Sequence, residues 1–353
     1  MANAMCGPQK PGTKKPPKGK NIAELNPCPL NVCCNIKGTY GCTSNCGRDV
    51  IKSDPPAQFI KVGYFEAFRV CLNMDVRQIH PSYTHIHFAF GMLTEDFKVY
   101  LEVQYAKYQF EQFKKLSGPK RILSFGGWTF SAERPYYGIF RNGVKPANRD
   151  KLASNIAKFV NDNGLDGVDI DWEYPGAPDI PGIPPPDDAH EGNSSMLDSK
   201  KSLSIAAPAS YWYLKQFPIK GISKIVDYIV FMTYDLHGQW DSTSKWANPG
   251  CPSGSCLRSQ VNLTETISAL SMITKSGVPS NKLIVGVTSY GRSFKMVDPK
   301  CTGPTCLFTG GPEEGSSGAK KGRCTGTAGY ISNAEIKEIL DGSNALAGPG
   351  AKT

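Results

Sequence analysis

No apolar run in this chain approaches 18 residues, so nothing in its 353 residues reads as a membrane-spanning helix. The first residues, Met-Ala-Asn-Ala-Met-Cys, lack the apolar core of a secretory leader. Histidine is scarce: there are five, beginning at His80, and none lies near the first cysteine cluster. A zinc reading of that cluster therefore lacks ligands at the usual spacing. Aromatics are missing from the Lys/Pro/Gly stretch that holds Lys10, Lys14, Lys15, Lys18 and Lys20. Lysines without interleaved stacking surfaces describe a solvated linker, not a nucleic-acid site, although the net charge is +9. What the chain does have is cysteine, twelve in all. Cys6, Cys28, Cys33, Cys34, Cys42 and Cys46 fall within 41 residues, and Cys251/Cys256 and Cys301/Cys306 form close pairs, with Cys71 and Cys324 besides. That density points to disulfides and an oxidising compartment. Asn193-Ser-Ser and Asn262-Leu-Thr are glycosylation sequons. The expected location is extracellular, with a leader that is not part of this chain.

The most informative segment is Asp166-Gly-Val-Asp-Ile-Asp-Trp-Glu173. Side chains alternate faces along a strand, so Val168, Ile170 and Trp172 share one face and Asp169, Asp171 and Glu173 the other. A row of carboxylates opposite an apolar face fits a polar, ligand-bearing interior, because buried charge must be paired or change protonation state. In a parallel barrel the inner strand face points to the axis and chemistry gathers at the C-terminal strand ends. Glu173, last in the row, falls at that mouth. A calcium loop of the EF-hand type is excluded, since its sixth position, counted from Asp169, is Tyr174 and not glycine.

Carboxylates stacked this closely cannot all ionise freely, so at least one pKa should rise. A raised carboxyl suits a general acid at neutral pH. Glycoside hydrolysis normally needs a second carboxylate across the sugar, and here the neighbours lie on the acid's own strand. That arrangement favours a substrate-assisted route. The octapeptide matches DGxDxDWE, and the chain resembles family 18 glycoside hydrolases, chitinases of the fungal killer-toxin-like type. The resemblance implies Glu173 as proton donor, Asp171 as partner of the substrate's acetamido N–H, Asp169 sharing a proton with Asp171, and Tyr234 donating to the acetamido oxygen. It implies chitin or N-acetylglucosamine oligomers as partners, retention of configuration, and no cofactor or metal. Ser124-Phe-Gly-Gly-Trp128 resembles the family's third strand, Phe231-Met-Thr-Tyr-Asp235 its sixth and Ser289-Tyr-Gly-Arg-Ser-Phe294 the end of its seventh. Lys61-Val-Gly-Tyr-Phe65 and His87-Phe-Ala-Phe90 resemble the first two. Tyr64, Trp128, Met232, Asp235, Tyr290 and Arg292 are thereby implied to line the sugar site.

The expected fold is α/β, a (β/α)8 TIM barrel over residues 57–294. Before it, residues 6–46 resemble a partial hevein-like chitin-binding module, with Tyr40 its sole aromatic between Cys34 and Cys42. After it, residues 295–353 resemble part of an α+β insertion. Helices are expected over Asn148–Asp162 and Leu263–Ile273, and later strands over Ser202–Ala207, Ile225–Met232 and Leu283–Thr288. Only 28 residues separate Glu173 from Ser202, and the first of them are proline-rich, so the fourth helix reads as missing. The eighth strand reads as missing too. Alternative functions are a catalytically impaired, lectin-like chitin binder, an endo-N-acetylglucosaminidase acting on glycoproteins, and a chitin-hydrolysing toxin subunit.

Overall fold

A computed structural model of the chain describes residues 49–67, 74–177, 201–245, 250–313 and 315–342, with residues 14, 25, 29–31 and 247 besides. The chain divides into two compact units, Asn3–Met232 with Ile267–Val285, and Thr233–Thr266 with Gly286–Thr353 and Met1–Ala2.

The first unit is built on strands whose two faces differ. In chain order come β1 (Val62–Glu66), β2 (His85–Leu93), the short β3 (Val99–Tyr100), α1 (Gln104–Phe113), β4 (Lys120–Gly126), α2 (Gly127–Ala132), α3 (Gly138–Gly143) and α4 (Arg149–Asp162). There follow β5 (Gly167–Asp171), β6 (Ser202–Pro208), α5 (Tyr211–Leu214), α6 (Ile219–Ile222) and β7 (Tyr228–Met232). Helix α7 (Leu263–Lys275) then leads to β8 (Leu283–Val285). The strands run β1-β2-β4-β5-β6-β7-β8, each parallel to the next, with β3 antiparallel to β2. This is the strand order of a TIM-barrel-type α/β fold.

Period-2 alternation decides what faces where. On β2, Phe88 packs on Phe110 and Phe113 of α1, with ring centroids 5.3 and 5.2 Å apart. On α4 Leu152, Ile156 and Val160 are buried along one stripe, and Phe159 meets Phe110 at 5.8 Å. Leu123, Phe125 and Val168 join the same core. Removing a buried ring such as Phe88 by Ala substitution costs about 3–5 kcal/mol in such a core.

Two strand starts or ends differ from expectation. Tyr228, not Ile225, opens β7, because Ile225 and Val226 still donate to the carbonyl of Ile222 at the end of α6. Strand β8 stops at Val285; Gly286 instead accepts the Thr233 hydroxyl at 2.8 Å. Among the described residues no strand follows β8 in the parallel sheet. The stretch expected to lack the fourth helix lies mostly at residues 178–200, outside the described residues, as do the cysteines of the N-terminal module.

The second unit pairs β9 (Tyr290–Arg292) antiparallel with β10 (Tyr330–Ser332), followed by α8 (Asn333–Gly342). Cys251–Cys256 and Cys301–Cys306, close pairs in the sequence, are disulfides. Leu257 N–H donates to Cys306 O at 2.8 Å, which ties the two bridged loops together. Buried Glu335 accepts from the N–H groups of Cys324, Thr325 and Ser332 and from the Ser332 hydroxyl.

Candidate active site

Sheet register sets the site in the first unit. Ser124 on β4 pairs with Asp169 on β5, Asp169 with Ser204 on β6, and Ser204 with Tyr228 on β7. Residues in register share a face, so these side chains form one inward polar layer. Ser124 Oγ donates to Asp169 Oδ2 at 2.7 Å and Tyr64 Oη donates to the same oxygen at 2.8 Å. Ser204 Oγ donates to Oδ1 at 2.7 Å. His87 Nδ1 stands 3.3 Å from Oδ2. Asp169 is fully buried, which disfavours its charge, yet His87 and the serine hydroxyls outweigh that cost and hold its carboxyl below the usual range.

Asp171, two residues along, receives the opposite treatment. It is buried, and its Oδ1 has no hydrogen-bond partner among the described residues. Burial first, then the charges of Glu173 and Asp169, push its carboxyl well above the usual range. The two neighbouring carboxyls are thus shifted in opposite directions.

Glu173 follows the end of β5 and is half-buried. Its backbone N–H donates to Ser131 Oγ at 3.0 Å, and Ser131 Oγ in turn reaches Asp171 O at 3.4 Å. The Tyr174 hydroxyl is hydrogen-bonded to Glu173, and its ring stacks on Tyr213 at 4.4 Å. Burial and the Glu173 charge both keep the Tyr174 phenol protonated. Gly126 at the end of β4 has φ +118°, and a Cβ there would lie 2.0 Å from Asp171 O. Only glycine lets β4 approach β5 this closely. Trp128, in α2, is 41% exposed, while Met232 is buried at the end of β7.

The other expected site residues belong to the second unit. Tyr290 Oη donates to Asp235 Oδ2 at 2.6 Å, and Arg292 donates to both Asp235 oxygens at 2.8 and 2.7 Å. The guanidinium lies over Trp240 at 4.8 Å, and Tyr234 meets Tyr290 edge-on at 6.4 Å. Gln260 supports the group: its Oε1 accepts from Asp235 N–H at 3.3 Å and its Nε2 donates to Tyr290 O at 2.9 Å. Among the described residues, no group of three or more His, Cys, Asp or Glu could hold a metal ion, and no helix is long and apolar enough to cross a membrane.

Sequence reasoning missed His87, Ser131, Ser204, Tyr174 and Gln260. Alternation offered a signal for two of them, since His85-Ile-His-Phe and Ser202-Leu-Ser-Ile place polar groups on one face of each strand. Ser131 and Gln260 act on backbone atoms far along the chain, which no local pattern reveals.

A TIM-barrel-type sheet with three acidic residues ending one strand defines a narrow class of protein. Residues 60–352 match the model of glycosyl hydrolases family 18, and the chain belongs to that family. It is 54% identical to "Secreted chitinase LysM12" of Penicillium expansum over 97% of this chain and 25% of that protein. It is 37% identical to "Killer toxin subunits alpha/beta" of Kluyveromyces lactis over 95% of this chain and 30% of that one. Among solved structures, the group IV chitinase of Ostrinia furnacalis is similar, with TM-score 0.64 and 25% identity over 81% of this chain and 79% of that chain. The chain thus spans about a quarter to a third of the length of the curated relatives it matches.

Proposed function

We propose that this chain hydrolyses the β-1,4 linkages between N-acetylglucosamine units of chitin, retaining configuration by a substrate-assisted route. The observation that carries the reading is Asp171: a buried carboxyl, raised well above its usual range, with an unpartnered oxygen beside Glu173. An acetamido N–H is the kind of donor that oxygen lacks. Glu173 is the proton donor to the leaving oxygen and then the base for the incoming water. Asp171 orients the acetamido group, whose own oxygen attacks the anomeric carbon and displaces the leaving sugar. Asp169 stabilises the row, and Tyr234 donates to the acetamido oxygen. Tyr64, Trp128, Met232, Asp235, Tyr290 and Arg292 line the sugar site, with Tyr64 acting through its bond to Asp169. Family membership and the chitinase names of the relatives support the substrate class.

Extracellular action is part of the same proposal, supported by the printed name of the Penicillium relative and by the two disulfides. The deciding experiment follows a chitin hexamer by proton NMR. Fresh β-anomer product and inhibition by the thiazoline analogue of N-acetylglucosamine are expected. An α product, or indifference to the thiazoline, overturns the mechanism. Binding of the hexamer without cleavage would instead mark a lectin-like protein.

A further inference from the structure

Under the carboxylate row lies a histidine to which neither the octapeptide nor the other motifs assign a task. His87 and His85 alternate on β2 with Ile86 and Phe88, so the apolar pair faces the helices and the histidines face inward. His87 is fully buried. Its Nε2 lies 2.7 Å from Tyr228 Oη. Its Nδ1 has no hydrogen-bond partner of good geometry among the described residues, and Asp169 Oδ2 stands 3.3 Å from it. A lone pair on Nδ1 would face a carboxylate oxygen at that distance, which is repulsive. An N–H there would face an acceptor, and a buried N–H without one costs about 1–3 kcal/mol.

Resting on the hydrolase reading, we propose that His87 is a positioning residue for the carboxylate row: it presents Nδ1–H to Asp169, is held in that orientation by Tyr228, and so keeps the row's proton on Asp171. The groups facing it are few. They are Asp169 from β5, Tyr228 from β7, the Tyr64 ring from β1 at 4.6 Å and, along β2, His85, whose ring meets Tyr228 at 5.2 Å. The Tyr228 phenol stays protonated, chiefly through burial and then the Asp169 charge, so it can donate to Nε2. A hydrogen bond to one ring nitrogen decides which atom the other presents. Ser124, Tyr64 and Ser204 already donate to Asp169. His87 is the added donor. With Asp169 held as carboxylate, Asp171 is left as the group that carries a proton toward Glu173 and the substrate.

The test combines kinetics with a readout independent of turnover. The pH dependence of kcat/KM on a chitin hexamer is measured for the full chain and for His87→Leu, His87→Asn and Tyr228→Phe. Losing the donor lets Asp169 protonate earlier, so the acid limb of His87→Leu should move to higher pH by about one unit or more. Asn places an amide N–H near the position of Nδ1, so His87→Asn should return most of that shift. Tyr228→Phe should lie between. An acid limb for His87→Leu that superimposes on the parent's overturns the role. Nitrogen NMR of the labelled parent chain should show Nδ1 protonated at neutral pH. An unprotonated Nδ1 overturns the proposal whatever the kinetics, and this measurement decides alone if His87→Leu does not fold. If the parent releases no product, the hydrolase reading fails while the NMR result still settles the position of the proton.

Discussion

Two aspartates show how differently one side chain can be used. Asp235, in the second unit, is closed on both oxygens by Arg292 and Tyr290, with the guanidinium itself laid over Trp240. Asp171, in the first, has an oxygen with no partner and two carboxylates for neighbours. The first arrangement is finished: charge meets a planar fork of matching geometry, and little can be added. The second is left open, and burial of an open carboxyl is costly unless something completes it. The contrast teaches that the same side chain can serve as a fixed anchor when both oxygens are paired, or stay open to a further donor when one is not.

The strongest way to break the comparison is at the end of the carboxylate row. Glu173→Gln should lower kcat on chitin oligomers by ~10²–10⁴-fold, the usual contribution of a general acid, while oligomer binding by calorimetry persists. Turnover within a few-fold of the parent would remove Glu173 from the role. The closed pair should respond in affinity and stability. Arg292→Met leaves Asp235 with Tyr290 alone and should cost on the order of 2 kcal/mol in urea unfolding, less than for fully buried pairs because both side chains keep some solvent contact. Arg292→Lys should recover part of this, since an ammonium cannot bridge both oxygens as the guanidinium does.

Asp171 allows a sharper test with a defined sign. Its folded pKa is raised, so the folded state holds a proton more tightly than the unfolded chain does. The native state therefore loses stability as pH climbs from about 4, the ordinary carboxylate value, towards the raised one. Asp171→Asn cannot ionise, so it should match the parent near pH 4 and be about 1–3 kcal/mol more stable at pH 8, even as turnover falls. A difference that does not change with pH would show that burial of the charge is not what the carboxyl resists.

The smallest effect belongs to His237. Its Nδ1 lies 2.6 Å from Asp241 and its Nε2 3.1 Å from Glu265. Burial opposes its charge, but the two carboxylates prevail and raise its pKa from 6.5 to about 9. A raised histidine contributes its full stabilisation below 6.5 and loses it as pH rises through about 9. The unfolding midpoint of the parent should fall across that window, and His237→Gln should flatten the fall.

Much of this was legible beforehand because it is local. Alternation around Asp169 and Asp171 fixes their shared face without any knowledge of the partner strands, and α4 needed only its stripe of Leu152, Ile156 and Val160. That one carboxyl of the row is raised was legible from the stacking; that Asp169 is held down was not. Its lowered state arises from Ser124, Ser204 and His87, which come from three other strands and meet Asp169 only through sheet register. The late start of β7 was hidden for a related reason. Ile225 and Val226 are good strand formers whose hydrogen bonds are claimed by the end of α6.

That register has a consequence for what an activity measurement means. Ser124, Asp169 and Ser204 align only when β4, β5 and β6 are in one frame, and a slip of a single residue would turn each side chain to the opposite face. Such a molecule could still be compact and helical, with most of its hydrogen bonds intact, yet its aspartate would have none of its donors. Under the proposed function, turnover per mole would count only the molecules with correctly aligned sheets, whereas circular dichroism would count them all.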